Sequence, residues 1–301
     1  MASEVPAWDP GRTGRGKIKA YLRLIRIEHT VFSLPFAYVG AFLALRGVPD
    51  LWTCLLIFTA LFGLRTASMA YNNIADLEID RMNPRTKRRP LITGAVTTKE
   101  AWGIVIFGSL LFFISAYLLN FYAFVLSPVV YLVAMSYPYA KRLHCLPHLH
   151  LGAVLGLSVM GGAIGAYGGI ASSLMDALAR VPWDYAVAVS LWIAGADVIY
   201  SIMDVDFDRR FGLGSLPSRL GPRRAVLASL AMHLVSAVLL IEGSFRCPLK
   251  FVAVPSAVLA SALFLGGDLV VLKNLRKVPD VFNMNLLVGI LAGLGPILSY
   301  L

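Results

Sequence analysis

The sequence predicts an all-α, polytopic membrane protein of about nine transmembrane helices, in two pseudo-duplicated halves that face each other across a central acidic cavity. Three observations carry this reading. Of the 301 residues 58% are hydrophobic and only 15% charged, with a mean hydropathy of +0.73, a composition foreign to soluble domains. Apolar runs of about 20 residues, the length that crosses the hydrocarbon core, recur from Ala20 onwards with short polar breaks. Two polar triplets, Arg65, Asn72, Asp76 and Asp197, Asp204, Asp208, share the spacing i, i+7, i+11 and are related by a constant offset of 132 residues. At about 100° per residue each triplet covers only about 40° of a helix and so forms one stripe. Glu78 and Asp206 fall on the opposite side.

The spans follow in order, and all 301 residues read as one transmembrane domain. The first, 20–45, carries Arg26, Glu28, His29, Thr30 and Ser33 ahead of Pro35, which a membrane helix accommodates as a kink. Arg26 and His29 are candidate acceptor-binding residues. The second, 52–80, is apolar until it reaches the stripe from Arg65 to Asp80. The third, 98–119, opens with Thr97 and Glu100 at capping-box spacing. The fourth, 121–140, runs into Ser136-Tyr-Pro-Tyr-Ala-Lys-Arg142, where two tyrosines precede a basic pair and can serve as interfacial anchors. The fifth, 150–170, is apolar after His150 apart from Ser158, and the sixth, 183–206, ends in the second stripe. Spans 222–241, 250–271 and 281–300 complete the set.

Charge position sets the orientation. With the N-terminus inside, 22 of the 27 Lys and Arg fall on the cytoplasmic side; only Arg46, Arg180, Arg246 and Lys250 fall on the other, and Arg65 lies within the second span. This predicts an integral protein of the cell membrane with its N-terminus and catalytic loops cytoplasmic. The basic residues alternate with membrane spans, so the bilayer is the expected partner and nucleic acid is not. No short apolar core with a small-residue cleavage site precedes the first span, so no removed signal is expected. Cys54, Cys145 and Cys247 form no CxxC pair, which argues against a zinc or disulfide framework.

Ionisable side chains at membrane depth cost about 3 kcal/mol or more, and they therefore line cavities and work there. Carboxylates with amide oxygens suit hard cations such as Mg²⁺, which takes one or two protein carboxylates and completes its shell with substrate phosphate oxygens. Two opposed acidic sets, each followed by a basic loop, suit a diphosphate bridged by metal. In the loop Asn83-Pro-Arg-Thr-Lys-Arg-Arg-Pro the arginines can clamp phosphate oxygens bidentately and the lysine can act as a point charge. Asp76, Asp197 and Asp204 are expected deepest, with Asp80 and Asp208 closest to water.

These residues resemble the UbiA superfamily of intramembrane prenyltransferases. Its first motif, Asn-Asp-x-x-Asp-x-x-x-Asp, is matched by Asn72-Asn-Ile-Ala-Asp76-Leu-Glu-Ile-Asp80, and its second, Asp-x-x-x-Asp, by Asp204-Val-Asp-Phe-Asp208. The resemblance spans essentially the whole chain, with one departure, an amide at Asn73 where the motif has a carboxylate. It implies a nine-helix bundle around a cavity open to the cytoplasm and to lipid, and transfer of a prenyl group from a prenyl diphosphate to an aromatic acceptor. The stretch from Ile25 to Ala37 is most similar to the quinone-pathway branch that resembles 4-hydroxybenzoate polyprenyltransferases.

The resemblance also implies roles. Asn72, Asp76 and Asp80 hold one Mg²⁺, and Asp204 and Asp208 another, with Asp76 and Asp204 indispensable to catalysis. Arg65, Lys141, Arg88 and Arg89 bind the departing diphosphate, Asn72 and His29 contact substrate, and Tyr139 or Asp197 stabilises the allylic cation or places the acceptor. Other acceptors in reach of such a family are a glycerol ether phosphate, haem or a chlorophyll precursor. An ion-coupled transporter also places carboxylates inside a bundle, but near the midplane on broken helices, whereas these acids sit toward helix ends beside basic loops. The Asp-Gly-x-x-Ala-Arg pattern of CDP-alcohol phosphotransferases is absent.

Overall fold

The computed structural model describes residues 13–143 and 146–301, apart from the side chains of residues 13–15, 28, 29 and 31. Its regular structure there is helical. The first expected span is two helices, α1 (Thr13–Ile25) and α2 (Ile27–Leu45), because Arg26 between them adopts the left-handed conformation (φ 47°, ψ 63°) that ends a helix. Pro35 sits inside α2 without breaking it. The second span is likewise divided, into α3 (Leu51–Ala75) and α4 (Leu77–Met82).

Next come α5 (Thr98–Leu119), α6 (Phe121–Leu143), α7 (Pro147–Tyr167), the short α8 (Leu174–Ala179) and α9 (Trp183–Ser201). A 3₁₀ turn, Ile202–Asp204, leads into α10 (Val205–Arg210), then α11 (Leu216–Leu220), α12 (Pro222–Ser244), α13 (Lys250–Lys273) and α14 (Val278–Leu298). The expected capping box opens α5: Glu100 N–H donates to Thr97 Oγ1 (3.3 Å) and Thr97 N–H to Glu100 Oε2 (2.8 Å). Lys17 and Tyr21 of α1 also bond Glu100, which ties the N-terminal helix to that cap.

Among the described residues eight helices are long and apolar enough to cross a membrane, and α2 adds a shorter apolar stretch, Phe32–Leu45. The two halves pack alike: α3 lies against α5, and α9 against α12, while α7 packs between α2 and α9. Phe32, Phe36 and Trp192 interlock at the centre with ring centroids 5.6–5.9 Å apart. Leu110, Ile114, Leu132, Val238 and Phe251 are exposed on the outside, where lipid tails are the natural solvent.

The α7–α9 contact depends on glycine. A Cβ on Gly152 would enter the space of the Ser190 carbonyl, and one on Gly156 that of the Ser190 hydroxyl, so only bare backbone lets the helices meet there. His148, Gly152 and Gly156 follow at four-residue spacing and share the face that α9 covers.

Candidate active site

Both acidic stretches sit where a helix breaks. Asp76 closes α3 with φ −95° and ψ 6°, and Asp204 ends the 3₁₀ turn with φ −104° and ψ 4°. Each is followed by a six-residue helix, α4 or α10, that carries the next aspartate, Asp80 or Asp208. The structural repeat thus relates Asp76 to Asp204 and Asp80 to Asp208, an offset of 128 rather than the 132 expected from the stripes. The stripes assumed unbroken helices, and the break at each motif moves the correspondence by one turn.

The two motifs face a common cavity of about 710 Å³. Asn72, Asp76, Asp80, Asp197, Asp204 and Asp208 line it, as do Arg65, Arg89 and Lys141. Most of the acids are already paired with cations. Arg85 crosses from the first half and grips Asp204 with both ends of its guanidinium, Nε–Oδ1 at 2.9 Å and Nη2–Oδ2 at 2.6 Å. Burial opposes the Arg85 charge, but these bonds outweigh it and hold the guanidinium above its ordinary pKa. Arg89 pairs with Asp80. Arg142 donates to Asp76 Oδ1 (3.0 Å) and to the Ala75 carbonyl (2.7 Å), and His148 meets Asp197 (2.7 Å). Asp208, 1% exposed, keeps one carboxylate oxygen without a hydrogen-bond partner.

The cations are not all so paired. Arg65 is 8% exposed with its Nε unsatisfied, and among the described residues neither Arg65, Arg26 nor Lys141 forms an ion pair. Arg26 and Arg65 line the same cavity as Tyr137. Beyond Arg65 and Ser68 a smaller cavity of about 90 Å³ continues between apolar walls that include Ile57, Leu61 and Phe112.

Several expectations need correction. Asp197 lies deep in the protein as expected, but Asp80 and Asp208 are not the acids most open to water. They expose less surface than Asp76 and Asp197, because the loops fold back over α4 and α10, where the Thr86 hydroxyl donates to the Asp80 carbonyl (2.7 Å) and the Leu213 N–H to that of Asp208 (2.8 Å). Tyr139 does not line the cavity; it is 37% exposed, bonds Tyr71 through its hydroxyl (2.7 Å) and lies under the Arg142 guanidinium. The tyrosine of α6 that faces the cavity is Tyr137, two residues earlier and on the other side of the helix, and Tyr200 of α9 lines the same cavity. Arg88 is exposed outside the cavity lining. Asn73 points away, donating to the Leu24 (3.2 Å) and Met69 (2.8 Å) carbonyls, bonds a carboxylate could not make. The side chain of His29 lies outside the described residues.

Sequence reasoning covered Arg85 only as one of the loop arginines and Arg142 only as one of a basic pair, and singled out neither. The signal for Arg85 was local: in Asn83-Pro-Arg-Thr, Asn83 Oδ1 accepts the Arg85 N–H (2.9 Å), an Asx turn that aims residue 85 inward and leaves residue 88 outside. Nothing local distinguishes Arg142 from Lys141.

Among the described residues no three His, Cys, Asp or Glu side chains converge on one point. The donor set is carboxylate and amide oxygen, which suits a hard cation that takes one or two protein carboxylates and fills its shell with phosphate oxygens and water. The orphaned, buried oxygen of Asp208 is an acceptor that such a cation satisfies.

Comparison with known proteins agrees with this geometry. The chain is 54% identical to a UbiA homolog from Aeropyrum pernix K1, solved in its apo form, over 92% of this chain and 99% of that one, with a TM-score of 0.83. It is 27% identical over 290 residues to the 4-hydroxybenzoate octaprenyltransferase of Francisella tularensis, covering 95% of this chain and 99% of the relative. A UbiA homolog from Archaeoglobus fulgidus, solved with GPP and Mg²⁺, shares the fold at 19% identity, with a TM-score of 0.64 over 91% of this chain and 99% of that one. The family model for UbiA prenyltransferases matches residues 33–288, which takes in both acidic motifs, the basic loop and the helices that bring them together, and the chain belongs to the UbiA prenyltransferase family.

Proposed function

We propose that this membrane enzyme transfers a prenyl group from a prenyl diphosphate to an aromatic acid of the 4-hydroxybenzoate kind, with Mg²⁺ as cofactor. The observation that carries the reading is the Arg85–Asp204 pair, which brings the basic loop of the first half onto the acidic motif of the second. A diphosphate in that space meets carboxylates of both halves and a fork of guanidiniums at once.

Asn72, Asp76 and Asp80 would hold one Mg²⁺, and Asp204 and Asp208 another. When bound, the metal supplies charge neutralisation that makes diphosphate a better leaving group. The chain's own cations act on the same charge: Arg85, Arg89, Arg142 and Lys141 are placed to stabilise the oxygens as the allylic C–O bond breaks and its electron pair leaves with the diphosphate. The allylic carbon then forms a bond to a nucleophilic ring carbon of the acceptor, which loses its proton. Apolar walls beyond Ser68 take the lipid tail and keep water from the cation.

Arg65 and Arg26 support an acidic acceptor. A buried Arg65 at membrane depth, with Arg26 lining the same cavity and neither in an ion pair among the described residues, is costly, and an acceptor carboxylate offsets that cost. Asp197, which lines the same cavity, takes the acceptor hydroxyl. The basic loops put this chemistry on the cytoplasmic side. Purified enzyme offered labelled prenyl diphosphate and 4-hydroxybenzoate should form prenylated phenol only with Mg²⁺. Transfer to a non-aromatic acceptor alone would overturn the acceptor class, and failure to bind the diphosphate would overturn the reaction.

A further inference from the structure

His148 belongs to neither acidic motif and does not line the cavity, yet it is fully buried and held at both ring nitrogens. Its Nδ1 lies 2.7 Å from Asp197 Oδ2, and its Nε2 lies 3.2 Å from the backbone nitrogen of Leu216. The Leu216 N–H can only donate, so Nε2 is the acceptor, and the ring proton sits on Nδ1 and is donated to Asp197.

A second pair shows that this is a specific setting. His233 and Asp268 are also 2.7 Å apart through Nδ1, but there Nε2 faces the Trp192 carbonyl at 3.0 Å, which can only accept. Nε2 of His233 therefore carries a proton, and neither residue lines the cavity. The backbone group at Nε2 thus differs between two pairs of the same composition, a donor N–H at His148 and an acceptor carbonyl at His233.

Leu216 opens α11 at the end of the loop that follows the second acidic motif. That loop rests on backbone bonds from Leu213 N–H to the Asp208 carbonyl (2.8 Å) and from Gly214 N–H to the Lys141 carbonyl (2.7 Å). The third tether, Leu216 to His148, reaches a cavity carboxylate through a side chain.

We propose that His148 is a positioning residue that couples Asp197 to the docking of the 211–216 loop and so sets how the acceptor is held. The Nδ1–H fixes one Asp197 oxygen and leaves the other for the acceptor, and the ring keeps that orientation only while Leu216 N–H occupies Nε2. This rests on the reading of Asp197 as the group that meets the acceptor hydroxyl.

Three variants separate the two bonds. His148→Asn keeps an amide N–H near the position of Nδ1 and loses the acceptor for Leu216. His148→Gln puts an amide oxygen near Nε2 and loses the bond to Asp197. Leu216→Pro leaves His148 intact and removes the N–H at a first helical position that accepts proline. The readouts are hydrogen exchange over 211–220, KM and kcat for acceptor and donor separately, and the ¹⁵N signal of His148 in labelled wild type.

His148→Asn and Leu216→Pro should speed exchange over 211–220 and raise the acceptor KM about tenfold or more while the donor KM stays put, the scale expected of a misplaced positioning group. His148→Gln should raise the acceptor KM with wild-type exchange. Faster exchange with unchanged acceptor kinetics in both loop variants, or a wild-type ring protonated on Nε2 and not Nδ1, would overturn the coupling. If the wild type never prenylates an aromatic acid, the acceptor assignment falls, while the exchange and tautomer readings still decide whether His148 joins Asp197 to the loop.

Discussion

Arg85 and Asp204 stand as a bidentate ion pair across the two halves of the protein, with the Tyr200 hydroxyl against the same guanidinium. In the free protein the pair neutralises an acid and a base that the proposed reaction needs separately, so ligand binding must exchange these partners. Arg85→Lys keeps the charge and loses the fork, and it should raise the KM for prenyl diphosphate about tenfold. Arg88→Ala, altered outside the cavity, should leave that KM within about twofold by the same steady-state assay.

Asp76→Ala and Asp204→Ala should each lower turnover by at least about 10², the scale of losing one charge-stabilising group in an enclosed site. The double variant should cost far less than the product of the two, because both halves act on one diphosphate. Thermal unfolding with and without Mg²⁺ plus prenyl diphosphate checks the cause. The wild type should gain stability from the two together, and each variant should gain little.

Arg65→Met should act on the acceptor alone. With the buried cation present, 4-hydroxybenzoate should be preferred over a phenol lacking the carboxylate by roughly 10-fold or more, as a charge-assisted contact allows. In the variant the two acceptors should approach parity while the donor KM holds. Competition assays with both acceptors in one tube read this directly.

The two tyrosines of α6 should separate. Tyr139→Phe removes one hydroxyl of an exposed pair and should cost about 1 kcal/mol or less of stability, with turnover changed less than about threefold. Tyr137→Ala opens the cavity wall itself and should lower turnover at least about tenfold.

Gly152→Val should fail at the level of packing. The added side chain meets the Ser190 carbonyl, so α7 and α9 must part, at a cost of about 1–3 kcal/mol for an overpacked contact. The melting temperature and turnover should fall together, because the same separation pulls His148 from Asp197.

The motif residues were legible because their surroundings are apolar. A carboxylate or guanidinium within a membrane span is costly enough to stand out in the sequence, and the recurring apolar runs, the capping box at Thr97 and Glu100, and the two acidic motifs are all local patterns. Side-chain direction is local only while the helix is unbroken. The breaks at Arg26, Asp76 and Asp204 changed it, and with it the register of the repeat and the exposure of Asp80 and Asp208.

By itself the sequence determined the helical membrane architecture, the acidic motifs and the kind of chemistry they carry, since hydrophobic length, charge and motif spacing are properties of a few consecutive residues. Only the tertiary structure decided which partner meets which acid: Arg85 with Asp204, Arg142 with Asp76, His148 with Asp197. It also turned Tyr137 toward the cavity and Tyr139 and Asn73 away from it. Such pairings join residues tens to more than a hundred positions apart, and they are fixed by how closely whole helices can approach, as at Gly152 and Gly156, which no stretch of sequence encodes alone.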